Sequence, residues 1–307
     1  MLLVTGAASI VGRHVVHTLS QGGAPVRALI RTRASVAADE FGSADVVVGD
    51  LAEGRSLDAA LAGVETLLLI TRPHPELLTH DRTVLAAAQQ HGVQRVIKLS
   101  IAGANVGSPL AVARWHGESE ALLAASRLDY LIIRAHRPRQ HLYAQVDSLC
   151  SQHAFYGCQG EGQAVDVDVR DVAAVLAQLA FLPVLGRDLL EVTGGEPHRA
   201  TDVAQALSAA MGHVIRYVDC APDDYVRALL AGGVPRQQAE DRAAWQQLLR
   251  LGRFGTPTTV VHQVTGRTPR TLGAFASEFA DAIRYATAPS ARSGAHTATA
   301  ALQGAPT

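Results

Sequence analysis

The stretch Val4-Thr5-Gly6-Ala7-Ala8-Ser9-Ile10-Val11-Gly12-Arg13 sets two glycines between an apolar run and a segment of helical spacing. A loop of this kind can cradle phosphate. Its first glycine permits a tight turn, its middle glycine lets the backbone approach a pyrophosphate, and its last lets helix and strand pack closely. The helix that follows turns free N–H groups and its positive dipole end toward the anion. Gly6 and Gly12 fill the first and last roles, and Ser9 stands at the point of closest approach. The Ser9 hydroxyl can itself donate to a phosphate oxygen, so the exchange weakens or shifts such a site without abolishing it. The backbone of Ala8, Ile10 and Val11 completes the cradle. The rival reading is a relic loop that binds nothing.

Other residues bear on what the loop holds. An acid at the end of the second strand would grip the ribose 2′-hydroxyl of NAD. The sequence there is "LIRTR", and Arg31 and Arg33 stand in its place. A guanidinium fork suits a 2′-phosphate, so NADP(H) is favoured over NAD(H); the alternative is two solvated arginines. Asp50, with Leu51 beside it, closes the third strand where an adenine amino group would lie. Thr71 and Arg72 end the fourth strand and should line the cofactor. Ser100 ends the fifth, at the carboxyl edge where open α/β sheets bind ligands. It donates to a substrate oxygen or caps the next turn. Lys98, inside that strand, is read as structural ahead of a cofactor contact.

The elements that must position these residues alternate. "MLLVTG", "PVRALIR", "ADVVVGD", "VETLLLIT", "VQRVIKLS" and "LDYLIIRA" read as strands. Helical spacing falls between them, after Gly12, over "SLDAALAG", from Pro75 to His91 and from Leu110 to Ser126. Strands this apolar imply a parallel sheet covered on both faces. With a glycine loop after the first strand, the order is that of a doubly wound Rossmann α/β fold. Residues 1–150 are expected to form this core, and 151–286 a smaller, mostly helical lobe with segments returning to the main sheet. In that lobe "VDVDVRDVAAVLAQLAFL" reads as a strand turning into a helix, "DLLEVTG" and "HVIRYVDC" as strands, and 222–251 and 272–285 as helices. The tail 287–307 is rich in Ala, Ser, Thr, Gly and Pro and is expected to be disordered.

Composition narrows the class. The chain has 307 residues, 48% apolar and 18% charged, with a formal net charge of -1. That is a globular protein without the electrostatic footprint of a nucleic-acid binder. No apolar run reaches the roughly 18 residues of a membrane span. The opening "MLLVTG" lacks a basic leader and runs straight into a strand, so a cytoplasmic enzyme of monomeric or homodimeric form is expected. Three cysteines, irregularly spaced, make neither a disulfide framework nor a zinc site. Lys98 is the only lysine, which we read as GC-rich coding bias.

The chain resembles the NmrA-like branch of the atypical short-chain dehydrogenase/reductases. The resemblance is carried by "VTGAASIVGRHVV", "VRALIR", "VVVGDL", "HGVQRVIKLSIAGA", "RWHGESEALLAASRLDYLIIR", "VDVDVRDVAAV", "EVTGGE" and "VTGRTPRTLGAFASEFADAIR". It implies a Rossmann fold and NADPH-dependent reduction of quinones or dyes, or redox sensing without catalysis. Ser9 departs from the family's usual glycine. The superfamily's tyrosine and lysine, four residues apart, fall here on Val112 and His116, and with one lysine in the chain no Tyr-x-x-x-Lys pair exists. That excludes the standard proton relay. By the resemblance, His116 faces the cofactor ribose or the substrate, where an imidazole holds a hydroxyl or passes a proton; alternatively it packs on Trp115 and bonds Glu120 one turn on.

After the sixth strand comes "RAHRPRQHLYAQ", where resembling reductases have an apolar substrate wall. Arg134, His136, Gln140 and His141 make it polar here, suiting a substrate with anionic or phenolic oxygens, or an exposed loop. Tyr143 is either a proton donor in place of the missing tyrosine or core packing. No metal site is expected, since His136 and His141 have no carboxylate at ligand spacing. The favoured function is NADPH-dependent reduction of a small oxygenated molecule (a quinone, an aromatic ketone or an activated double bond), in a bacterial specialised-metabolite setting. A non-redox enzyme reusing the pocket and an NADP(H)-sensing regulator are the alternatives.

Overall fold

The computed structural model describes residues 1–35, 37, 40–183 and 185–287. The expected disorder of the tail lies, from 288 onward, outside these. Two compact units are present. The first comprises Met1–His136, Val169–Val192 and Thr259–Arg267; the second comprises Arg137–Asp168, Thr193–Thr258 and the described residues from Thr268 to Thr287.

The first unit is a Rossmann-like sheet. Its strands are β1 (Leu2–Val4), β2 (Val26–Ile30), β3 (Asp45–Val48), β4 (Thr66–Leu69), β5 (Arg95–Ile101) and β6 (Asp129–Ala135), with β8 (Asp188–Val192) at the edge. They run in the order β3-β2-β1-β4-β5-β6-β8, each pair parallel. The chain winds outward from β1 in both directions, so the crevice beyond the carboxyl ends of β1 and β4 is the topological switch point where such sheets bind ligands. Helices α1 (Ile10–Gln21), α2 (Asp58–Leu61), α3 (Leu77–Gln90), α4 (Ala111–Ala124), α6 (Val169–Leu179) and α10 (Val260–Thr265) belong to this unit.

Helix α1 buries Gly12, Val15, Val16 and Leu19, the stripe a 3.6-residue period puts on one face. Helix α3 buries Leu77, Val84, Leu85 and Ala88 in the same way, but Asp81 shares the stripe. Helix α4 goes further: His116, Ser119 and Glu120 lie among its buried residues with Ala113 and Leu123. The apolar cluster around Leu67, Leu69, Val84, Val96 and Leu123 encloses this polar material.

The second unit holds α5 (Val146–Gln152), β7 (Ala154–Gly157), α7 (Ala200–Met211), β9 (Arg216–Asp219), α8 (Pro222–Ala231), α9 (Arg236–Arg250) and α11 (Leu272–Thr287). Its main cluster packs Leu142, Phe155, Leu207, Phe275 and Phe279. Strands β7 and β9 form a two-stranded parallel sheet of their own. One expectation is corrected here. Residues 165–168, read as a strand, make only one isolated bridge, Pro138 with Val167, next to a second at Ala164 with His198. Their alternation reflects burial of both sides: Asp166 and Asp168 are buried along with the valines, so no half-exposed strand face exists.

Candidate functional site

The glycine loop closes tightly against the end of β4. The Thr5 hydroxyl donates to the Ile70 carbonyl at 3.0 Å and accepts from the Ile70 N–H at 2.9 Å. Gly6 takes a left-handed φ of 57°, and a Cβ there would sit 2.4 Å from that Ile70 oxygen. A Cβ at Gly12 would sit 2.2 Å from the Gly6 oxygen. Both glycines are therefore required by the loop itself. Ser9 is the N-cap of α1: its Oγ accepts from the Gly12 N–H at 3.1 Å, and its φ of −75° asks for no glycine. The hydroxyl keeps its own hydrogen for an outside acceptor. Among the described residues, the N–H groups of Ala8, Ile10 and Val11 have no partner. Three free donors at the start of a twelve-residue helix fit the oxygens of a pyrophosphate.

The rim beyond β2 and β3 is polar. Arg31 is exposed and unpaired among the described residues, whereas Arg33 donates to the Val46 carbonyl at 3.1 Å. Asp50 spends one carboxylate oxygen on the Ala52 N–H at 2.9 Å, and both it and Leu51 are half-buried. Arg72 is exposed just past β4.

Beneath this edge lies a buried charge network. Lys98 and Asp81 are both 0% exposed, and the Lys98 Nζ donates to Asp81 Oδ2 at 2.6 Å. Thr71 and Ser119 donate their hydroxyls to the same carboxylate. Burial opposes ionisation of Asp81, but the Lys98 ammonium and these donors outweigh it and hold the carboxyl below its usual range. His116 is 2% exposed, and neither ring nitrogen has a hydrogen-bond partner. Burial first, then the Lys98 ammonium, push its pKa down to about 3 against an opposing pull from Asp81. The imidazole is neutral at every physiological pH, with one N–H and one lone pair to offer.

A second network occupies the adjoining turn of α4. Glu120 accepts from the Ser100 hydroxyl at 2.5 Å and from Arg134 Nε at 3.0 Å and Nη2 at 2.6 Å. Arg134 also donates to the Ala104 carbonyl at 2.8 Å. Ser100 thus gives its proton to Glu120, and Arg134 is a fork closed on the same carboxylate. His116 does not bond Glu120, since neither of its ring nitrogens has a hydrogen-bond partner. His136 is buried, its Nε2 3.6 Å from Glu191 Oε2.

The remaining residues of that polar stretch lie in the second unit. Gln140 is half-buried there. His141 Nδ1 lies 2.8 Å from the Pro138 carbonyl; burial and the nearby Arg137 lower its pKa. Arg137 is itself closed on Asp166 by two bonds of 2.9 and 2.8 Å. Tyr143 packs its ring on Phe279 and Phe275 with centroids 4.9 and 6.5 Å away, which is core packing. The residues missed from sequence are Thr5, Asp81 and Ser119, and Glu120 is read there only as a partner of His116. The signal for Asp81 was present: an acid on an apolar helical stripe, opposite a lone lysine in an apolar strand.

The NAD(P)H-binding family matches residues 6–183. The chain is 30% identical over 283 residues to the NAD(P)H azoreductase of Xenophilus azovorans, covering 92% of this chain and 99% of that one. It is 30% identical over 287 residues to the (4-alkanoyl-5-oxo-2,5-dihydrofuran-3-yl)methyl phosphate reductase of Streptomyces griseus, with 92% and 99% covered. An NADPH-dependent quinone oxidoreductase from Escherichia coli, solved with NADPH, matches with a TM-score of 0.83 and 25% identity over 91% of this chain and 99% of that one. The free donors around Ser9 thus have kin that hold the same cofactor, and the chain belongs to the NAD(P)H-binding family, in the NmrA-like branch of the atypical short-chain dehydrogenase/reductases.

Proposed function

We propose that this chain is an NADPH-dependent reductase of a small aromatic or conjugated oxygenated acceptor, of which a quinone is the simplest case. The observation that carries the reading is the set of unpaired N–H groups of Ala8, Ile10 and Val11 around the Ser9 cap at the switch point. The loop from Gly6 to Gly12 takes the pyrophosphate, Arg31 and Arg33 the 2′-phosphate, Asp50 and Leu51 the adenine. Thr71 and Arg72 border the cofactor from β4. The names of an azoreductase and a quinone oxidoreductase among the relatives support the acceptor class.

When bound, the reduced nicotinamide supplies the hydride. The protein's share is positioning and polarisation. His116, neutral and unpartnered, donates its N–H to a ribose hydroxyl or to the acceptor oxygen. A quinone oxygen that gains electron density takes its proton from water without a tyrosine relay, which agrees with the absence of any Tyr-x-x-x-Lys pair. His136 contributes a polar group for an oxygen-rich substrate. The enzyme acts in the cytoplasm on a small molecule, as a monomer or homodimer.

The test is nicotinamide fluorescence with NADPH and NADH, followed by NADPH consumption with a quinone, an azo dye and an aromatic ketone. NADPH should bind more tightly than NADH, and Arg31→Glu should erase that preference. Ser9→Ala should weaken NADPH binding and lower stability by about 1 kcal/mol through the lost cap. Turnover of an acceptor without NADPH consumption would point instead to non-redox chemistry. Binding without turnover of any acceptor would point to a sensor.

A further inference from the structure

The chain has three cysteines, and reduction by NADPH calls on none of them. Cys150 is exposed on α5. Cys158 directly follows β7, and Cys220 directly follows β9. These strands pair in parallel, with Phe155 opposite Tyr217 and Gly157 opposite Asp219. The next step of that register sets Cys158 opposite Cys220, and the Cys220 N–H donates across it to the Gly157 carbonyl at 2.7 Å. Adjacent strands lie about 4.7–4.9 Å apart, inside the roughly 4.4–6.8 Å between Cα atoms that a disulfide needs.

The two thiols also share surroundings. Cys158 forms one cluster with Tyr225 and Ala243, and Cys220, Val226 and Leu229 pack against it. Cys158 Sγ lies 3.7 Å from the Ala243 carbonyl and Cys220 Sγ 3.6 Å from that of Val218. Access is unequal. Cys158 is 0% exposed, while Cys220 is half-exposed.

We propose that Cys158 and Cys220 form a dithiol modification site that peroxides close into a disulfide joining the ends of β7 and β9. The Cys220 thiolate attacks one peroxide oxygen and the O–O bond breaks. The leaving oxygen takes a proton and departs as water, and Cys220 becomes a sulfenic acid. The Cys158 sulfur then attacks the sulfenic sulfur. Its S–O bond breaks, the departing hydroxide takes the Cys158 proton as a second water, and the S–S bond forms. The two thiols lose two electrons, and the peroxide gains them.

The surroundings set the conditions. Burial, then the Asp219 carboxylate on β9 and Asp224 on α8, push the Cys220 thiol up. Burial also raises Cys158, against the Gln247 amide and the Arg250 guanidinium on α9. The thiolate is the nucleophile, so closure is slow at neutral pH and speeds up as pH rises. Once closed, the bond encloses the chain from 158 to 220, a long loop whose closure restricts the unfolded state.

The test uses the full chain carrying Cys150→Ser, which removes the exposed third thiol. The reduced protein is treated with hydrogen peroxide, trapped with N-ethylmaleimide and digested for mass spectrometry. The expected product is lighter by two hydrogens, takes up no maleimide and yields a peptide pair linked through Cys158 and Cys220. Its Tm rises and falls back on adding dithiothreitol; Cys158→Ser and Cys220→Ser show no such rise. Wild-type protein, read by fragmentation of the same linked peptides, should give the same pairing. Two thiols still open to maleimide after treatment that oxidises a free cysteine peptide would overturn the proposal. So would a link through Cys150, a dimer, or oxidation stopping at Cys220. No readout involves NADPH, so this outcome is independent of the reductase reading.

Discussion

His116 is a base denied its proton. Burial and the Lys98 ammonium hold its pKa near about 3, whereas an unfolded imidazole binds a proton near about 6.5. Between those values protons favour the unfolded chain, so the group's contribution is complete above about pH 6.5 and is lost as pH falls toward 3. Each pH unit in that window removes about 1.4 kcal/mol. Urea unfolding at pH 7 and pH 4.5 should therefore show a smaller pH loss in His116→Leu than in the wild type. An unchanged loss would mean that the imidazole protonates freely in the folded protein. Ser9 shows the limit of reading at this scale. The sequence marks it as a missing glycine, but its φ of −75° and its bond to the Gly12 N–H identify a helix cap. A motif read by letter cannot tell a backbone need from a side-chain role.

The chemistry on α4 breaks an apolar pattern. Its buried residues carry His116, Ser119 and Glu120 alongside Ala113 and Leu123, so a search for apolar spacing finds the helix but not its polar interior. The strands of the sheet were legible because they hold apolar runs such as Leu67–Leu69. Strand β7 was not, being four residues beside a left-handed His153. The Lys98–Asp81 pair ties β5 to α3, and breaking such a pair costs about 3–5 kcal/mol because one charge is left stranded. Lys98→Met alone should lower unfolding stability by that amount. Lys98→Met with Asp81→Leu should recover most of it, since both charges leave together. Equal losses in the single and double variants would show that the pair's hydrogen bonds to Thr71 and Ser119, and not its charge, hold these elements.

At the scale of the whole molecule, the first unit is assembled from three separate stretches of chain. The strand and helix pattern suggested a core of residues 1–150 to which segments of the later chain return. In the first unit, α6 packs against α1 and α10 packs against α6. Strand β8 is the edge partner of β6. A fragment ending at residue 150 should therefore show no cooperative thermal transition by circular dichroism and no NADPH binding, despite containing the entire glycine loop. A fragment that melted cooperatively would show that the later stretches only decorate a finished core. Which later segments return was illegible for a physical reason: nothing in "VDVDVRDVAAV" distinguishes an apolar helix face bound for its own neighbourhood from one bound for a sheet begun long before it.

The position of β8 has a consequence in time. Strand β6 ends at Ala135, but the strand that covers its outer edge is complete only at Val192. During synthesis the nascent sheet waits with Leu131 to Ala135 offering a row of unpaired backbone groups, the template on which foreign strands add. At about 5–20 residues per second that wait lasts roughly 3 to 11 s. The newborn chain, rather than the finished enzyme, is the form most in need of a holding chaperone.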